Sequence, residues 1–132
     1  MTGGSALPVL LGERRFAAQP AQVGAARRFL AVLLAGAPVA AEAVLCLSEL
    51  ASNAITHSRS GDRGGWFTVR ASHAGGLIRV EVEDQGGPWA PGGNADVEGG
   101  RGLLIVAELA TAWGRSGSGE AGWTVWFTLD CP

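Results

Sequence analysis

The sequence predicts an α+β domain in which about three helices form one layer against a mixed, mostly antiparallel β-sheet. Two segments with apolar residues at steps of three and four come first, alternating strand-like segments follow, and a third helical pattern precedes a final strand. With 132 residues, the chain is long enough to bury one core without disulfides. We therefore expect a single domain over residues 1–132.

Three segments carry the helical pattern. The first spans 20–36, where Pro20 suits the first turn of a helix and the glycine at 36 suits its end. The second spans 38–58, with an apolar stripe on one side and polar residues, among them Glu49 and Asn53, on the other. The third is expected from Leu103 to Ala112.

The strands are predicted from alternating and β-branched residues. Segments 66–72 and 77–84 are separated by His-Ala-Gly-Gly, which predicts a hairpin. A short strand is expected at 14–17 and a closing strand at 123–129. The remaining segments are predicted to be irregular: a loose or edge segment at 1–12, a loop at 58–65, a lid-like stretch at 85–100 and a glycine-rich turn at 114–122.

Composition excludes several classes of function. The chain has ten arginines and no lysine, so it has neither the lysine of a Walker-type phosphate loop nor an amine for Schiff-base chemistry. A net charge of −2 argues against a nucleic-acid binder. The longest uncharged run, 29–41, is too short to cross a membrane, and the two cysteines, which lack zinc-ligand spacing, predict neither a zinc site nor a disulfide framework. We expect a cytoplasmic protein.

Glu49 and Asn53 are the most informative polar pair. Four residues apart on a helix, they lie on one face. An amide oxygen is a suitable ligand for Mg²⁺, and a carboxylate can accept a proton or orient a nucleophile. A solvated polar helix face would carry the same two residues, so the pair alone leaves both interpretations open.

Two later segments could bind other parts of a ligand. Asp84 ends an apolar strand just before Gly86, so its carboxylate could accept a hydrogen bond from an exocyclic amine while the glycine lets a flat ring approach; a simple Asp-led turn is the alternative. A glycine-rich run leads into the predicted start of a helix and consists of Gly100, Arg101, Gly102 and Leu103. The free N–H groups at such a start suit phosphate binding. A plain glycine-rich connection is the alternative. Thr124 is either a ligand contact or an ordinary strand threonine.

Taken in order, these segments resemble the four sequence boxes of the GHKL (Bergerat) ATP-binding superfamily. The residues that carry the resemblance are Glu49-Leu50-x-x-Asn53-Ala54-x-x-His57-Ser58, Asp84-x-Gly86, Gly100-Arg101-Gly102-Leu103 and Gly122-x-Thr124. The short length and the Thr-Val-Trp-Phe segment are similar to the stand-alone anti-sigma-factor serine/threonine kinases of actinobacteria. One departure is Trp123, where such proteins usually carry a small or basic residue.

The resemblance implies a Bergerat-fold α/β sandwich that binds ATP and Mg²⁺. It implies that Asn53 ligates Mg²⁺, that Glu49 is the catalytic base or orienting carboxylate, and that Asp84, supported by Gly86 and Thr124, receives the adenine amine. The backbone from Gly100 to Leu103 would hold phosphates. The implied partners are a STAS-domain anti-anti-sigma protein and a sigma factor, with homodimerisation possible and neither nucleic acid nor membrane bound.

A different kind of function remains as the alternative, namely a non-catalytic module of the same fold that binds ATP or only a partner protein. A serine hydrolase is disfavoured. A nucleophile elbow requires glycine two residues before and two residues after its serine, and neither Ser116 nor Ser118 has both.

Overall fold

A computed structural model describes residues 7–57, 64–86 and 96–132, with backbone only at 57 and 96–102. Its elements are, in chain order, β1 (Val9–Ala17), α1 (Pro20–Leu33), α2 (Ala40–His57), β2 (Trp66–Ala74), β3 (Leu77–Glu83), α3 (Asp96–Leu109), β4 (Ala112–Ser118) and β5 (Gly122–Asp130). The predicted α+β sandwich of three helices on a sheet is confirmed. Most of the segments predicted at 1–12, 58–65 and 85–100 lie outside the described residues.

The five strands form one sheet in the order β1-β2-β3-β5-β4. All four pairings among these strands are antiparallel. The predicted hairpin joins β2 and β3 through Gly75 and Gly76, whose φ angles of 58° and 79° are those a two-residue turn with positive φ requires. β1 begins earlier than the predicted strand at 14–17, and it forms an edge of the sheet.

Helices α1 and α2 begin and end close to the predicted bounds. Pro20 opens α1 within its first two positions, and the N–H group of Leu34 caps its end on the carbonyl oxygen of Leu30. In α2, residues at helical spacing are buried against the sheet: Ala43, Cys46, Leu47, Leu50 and Ala54. Glu49 and Asn53 lie beside this stripe on α2 and are half-buried.

The C-terminal third of the chain differs from the sequence prediction in two ways. Helix α3 begins at Asp96 and ends at Leu109, whereas the prediction placed it from Leu103 to Ala112. The predicted turn at 114–122 is wrong, because Ala112–Ser118 form strand β4 paired with β5. The glycines there serve close packing, since a Cβ on Gly114 would lie 2.8 Å from the Trp126 ring.

The two faces of the sheet have different chemistry. Under the helices the face is apolar, and its fully buried side chains include Phe67 and Val69 in β2, Val80 in β3 and Phe127 in β5. On the opposite face, one arginine of β2, Arg70, forms ion pairs with carboxylates from β1 and β3: Glu13, Glu81 and Glu83. Strand alternation therefore separates a packed core from a charged outer surface.

None of the helices, as far as the structure describes them, combines the length and the apolar character that crossing a membrane requires.

Candidate functional site

A cavity opens between the helix layer and one end of the sheet. Its lining comes from α2, β3, α3 and β5, and the space in it that a water-sized molecule can occupy among the described residues is about 10 Å³, room for about one water. The lining residues are Leu50, Asn53, Ala54, Val82, Asp84, Leu103 and Val125. Five of them are apolar, and the two polar ones are Asn53 and Asp84. An apolar cavity with a few convergent polar groups is the usual form of a small-molecule site.

Asp84 lies directly after β3 and is only 6% exposed. Its Oδ1 atom accepts hydrogen bonds from the N–H groups of Gly86, at 2.7 Å, and Trp123, at 3.1 Å. The bond to Gly86 is the Asp-led turn that the sequence left as an alternative. In the described part of the chain no further hydrogen bond uses this carboxylate, so Oδ2 is available to a ligand in the cavity. The turn and the binding role are thus compatible.

Burial raises the pKa of Asp84 above its ordinary value. The two backbone N–H bonds oppose this effect, because they favour the charged carboxylate. Glu83 adds to the increase, while the positive charge of Arg115 opposes it. Asp84 is therefore a carboxylate kept dry by its apolar neighbours and held by hydrogen bonds on one oxygen only.

Gly86 has a structural task that the sequence analysis did not foresee. Its φ of 83° lies in the left-handed region, and a Cβ at this position would overlap the carbonyl oxygen of Gly119. Gly122, at φ 113°, packs equally closely, since a Cβ there would lie 2.6 Å from the carbonyl oxygen of Asp84. The two glycines let the β4–β5 turn pack directly on the backbone that presents Asp84.

Asn53 reaches the cavity from α2. Its Nδ2 atom is buried and has no hydrogen-bond partner among the residues that the structure describes. A buried polar atom without a partner is costly unless a ligand satisfies it. Glu49 lies one turn earlier on the half-buried side of α2, and it is not among the residues that line the cavity.

The predicted phosphate-binding run lies inside α3, because the helix begins at Asp96. Within a helix, the N–H groups of residues 100–103 face carbonyl oxygens one turn earlier. The free N–H groups at a helix start belong to its first turn, here near Asp96. The side chain of Arg101 lies outside the described residues. Leu103 does line the cavity.

Thr124 is not brought into the cavity. Val125, its neighbour in β5, lines the cavity together with its cross-strand partner Val82, whereas Thr124 pairs with Glu83. Successive side chains of a strand point to opposite faces, so Thr124 and Glu83 lie on the outer face of the sheet. The residue of β5 beside Asp84 on the cavity side is Trp123.

Trp123 and Arg115 were not predicted as site residues. The Arg115 guanidinium carbon lies 4.1 Å from the centroid of the Trp123 ring, a cation–π contact. Arg115 pairs with Val125 across β4 and β5, which places it on the cavity face of the sheet. Trp123 stood out in the sequence as an unusual residue, but Arg115 gave no signal because β4 was not predicted.

The residues that the structure describes fit Mg²⁺ only through Asn53. Among the described residues there is no group of three or more histidine, cysteine or acidic side chains that could hold a metal by itself. The unpaired amide of Asn53 fits a metal that takes most of its ligands from phosphate and water, because a half-turn of the amide places Oδ1 where Nδ2 lies. Asn53 is thus a suitable single protein ligand.

Comparison with known proteins gives one family. Residues 16–129 match the family model described as a histidine kinase-like ATPase domain. This match spans six of the eight elements in full, all of β5 except Asp130, and the end of β1. No curated protein matches the chain.

Proposed function

Because the chain belongs to the histidine kinase-like ATPase family, we propose that it is an ATP-dependent serine/threonine protein kinase of the anti-sigma-factor type. Its substrate would be a serine of a STAS-domain anti-anti-sigma protein, and a sigma factor would be the competing partner in transcription control. The observation that supports this proposal most is the convergence of Asn53 and Asp84 on one apolar cavity.

Asp84 binds the base in this proposal. Its Oδ1 is engaged by two backbone N–H groups, and its Oδ2 accepts a hydrogen bond from the exocyclic amine of adenine. The apolar walls, from Val82, Leu103 and Val125, contact the faces of the ring. A carboxylate that accepts from an amine in a dry cavity favours adenine over bases that present an oxygen there.

Asn53 would hold Mg²⁺, which when bound would supply charge neutralisation for phosphoryl transfer. The substrate serine oxygen forms a bond to the γ-phosphorus, and the bond from that phosphorus to the bridging oxygen of ADP breaks. Glu49, one helical turn from Asn53, orients the serine hydroxyl and accepts its proton. The chain contributes positioning and electrostatics and forms no covalent intermediate.

Glu49→Ala tests the catalytic role. We expect the variant to bind ATP·Mg²⁺ within about threefold of the unmodified chain, while transfer of labelled γ-phosphate to a STAS protein from the same genome falls by about 100-fold or more. Glu42→Ala is the matched control, because Glu42 lies two turns earlier on α2 and should change neither quantity. Normal transfer by Glu49→Ala would show that this carboxylate is not the base.

The absence of Glu49 from the cavity lining favours a second candidate, a regulatory module of the same fold that binds ATP without transferring phosphate. Calorimetric titration with ATP·Mg²⁺ distinguishes the two when combined with the transfer assay. Tight binding without transfer to any STAS protein supports the module. Binding that is absent both in the unmodified chain and in Asn53→Ala excludes the kinase.

A further inference from the structure

We propose that Gln85 is a positioning residue that holds the carboxylate of Asp84 in place for the nucleobase. Its side chain acts through the backbone and is not among the residues that line the cavity. This inference rests on the proposed nucleotide site and deepens it, because it names the contact that fixes the base-binding carboxylate.

Asp84 lies where strand β3 separates from one neighbouring strand and stays with the other. On the β5 side the pairing continues past Glu83, because the Asp84 N–H donates to the Trp123 carbonyl oxygen at 2.8 Å. The Trp123 N–H in turn donates to Asp84 Oδ1 at 3.1 Å. On the β2 side the pairing ends at Thr68 and Glu83. The backbone of Asp84 is thus held in the sheet by β5 alone.

Gln85 supplies a connection to β2 in a different way. Pairing continued in the same register would place Gln85 opposite Trp66, the first residue of β2. At this position the side chain takes the part of the backbone, because Gln85 Oε1 accepts the N–H of Trp66 at 2.8 Å. The bond joins residues 19 positions apart and is partly buried. It ties the residue directly after Asp84 to the neighbouring strand.

A side-chain bond suits this position because the backbone must turn there. Gly86 has a φ of 83° and packs against the Gly119 carbonyl oxygen in the β4–β5 turn, so the chain leaves the strand direction directly after Gln85. Continued backbone pairing with β2 would keep this segment extended. The Gly86 N–H also donates to Asp84 Oδ1 at 2.7 Å. A shift of the turn would therefore move the carboxylate, and Gln85 opposes that shift.

The test compares ATP with purine riboside triphosphate, which lacks the exocyclic amine. Dissociation constants are measured by calorimetry with Mg²⁺ present. We expect the unmodified chain to bind ATP about tenfold or more tightly than the amine-free nucleotide, the value of a hydrogen bond to a carboxylate. Gln85→Leu removes the acceptor for the Trp66 N–H and should reduce this preference to less than about threefold. A loss of folding alone would weaken both nucleotides by one factor and leave the ratio of the two constants unchanged.

Two further substitutions separate the acceptor oxygen from the rest of the side chain. Gln85→Glu keeps an oxygen within reach of the Trp66 N–H. It should keep the preference for ATP within about twofold, because its added charge repels both triphosphates alike. Gln85→Asn keeps the amide but is one methylene too short, so it should lose the preference as Gln85→Leu does. It gives the same information if the leucine variant does not fold.

Thr111→Val is the matched control. Thr111 Oγ1 accepts the N–H of Asp130 at 3.2 Å, so it is also a side-chain acceptor for a backbone N–H at the end of a strand. This bond lies at the opposite end of β5 from Trp123 and Asp84. The variant should keep the unmodified preference for ATP.

The inference is overturned if Gln85→Leu and Gln85→Asn keep the preference, or if Gln85→Glu loses it. It is also overturned if Thr111→Val loses the preference, since any bond at a strand end would then have the same effect. These outcomes leave the proposed function intact. If the unmodified chain binds the two nucleotides equally, or binds neither, the proposed nucleotide site itself fails, and this inference with it.

Discussion

Replacing Asp84 by asparagine removes one negative charge from the cavity while leaving its shape almost unchanged. The asparagine Oδ1 can still accept the N–H groups of Gly86 and Trp123, which hold the aspartate now at 2.7 and 3.1 Å. In place of Oδ2, the variant presents an NH₂ group, which cannot accept from a base amine. The hydrogen bond lost involves a charged acceptor, and its loss costs about 1.5–3 kcal/mol, or about 10- to 150-fold in ATP affinity.

The same substitution, which should weaken ATP binding, should not lower the stability of the folded chain at neutral pH. Burial raises the pKa of Asp84 from its ordinary value of 3.8, so between that value and the raised one the folded chain holds a proton that the unfolded chain has released. The contribution of Asp84 to the free energy of unfolding therefore falls as the pH rises through this window. Asp84→Asn has no such titration. At neutral pH we expect it to be as stable as the unmodified chain or more stable.

Two measurements check this reasoning, namely calorimetric titration with ATP·Mg²⁺ and urea unfolding over a pH series. Glu83→Gln is the control, because Glu83 neighbours Asp84 in sequence but pairs with Arg70 on the outer face. The control should keep ATP affinity within about threefold. Unchanged ATP affinity in Asp84→Asn, or a marked loss of stability at neutral pH, would refute the account of Asp84.

Three further predictions concern packing, charge and reactivity. Gly86→Ala should lower the free energy of unfolding by more than about 2 kcal/mol in a urea titration, because φ is 83° and the Gly119 carbonyl oxygen blocks a Cβ. The control Gly36→Ala, at φ 87° in open space, should lower it by only about 1 kcal/mol. Equal losses of stability in the two variants would contradict the packing argument. Arg70→Met should destabilise by about 1 kcal/mol at low salt and less at high salt, since it leaves Glu13 and Glu83 without this cation and Glu81 with Arg79 alone; an effect independent of salt would contradict this. Burial raises the pKa of the Cys46 thiol to about 11, so a thiol reagent at pH 8 should modify half-exposed Cys131 quickly and Cys46 only after unfolding. Rapid modification of both cysteines in the folded chain would contradict this.

Long periodic segments made most of the fold predictable. The apolar stripe of α2 and the alternation of β2 and β3 each repeat over several turns or residues, so single exceptions do not hide them. Strand β4 was missed because its glycines, Gly114 and Gly117, are typical of turns. In the structure they make room for the Trp126 ring and for the backbone of Gly122. These requirements come from a neighbouring strand and leave no pattern along the chain.

The cavity was predictable only in part for a related reason. Asn53 and Asp84 could be identified from their residue types and neighbours, and the structure brings them together. Thr124 could not be placed, because the face on which a strand residue lies depends on register, and the pairing of Val82 with Val125 sends Thr124 to the outer face. Arg115 depends on a strand that the sequence did not indicate.

The proposed function requires this cavity to bind ATP with its base at Asp84. A crystal structure of the chain with a non-hydrolysable ATP analogue and Mg²⁺ tests it most directly. We predict the adenine amine within about 3 Å of Asp84 Oδ2 and the metal on the side chain of Asn53. A nucleotide bound elsewhere, or a cavity still empty at saturating analogue, would contradict the account.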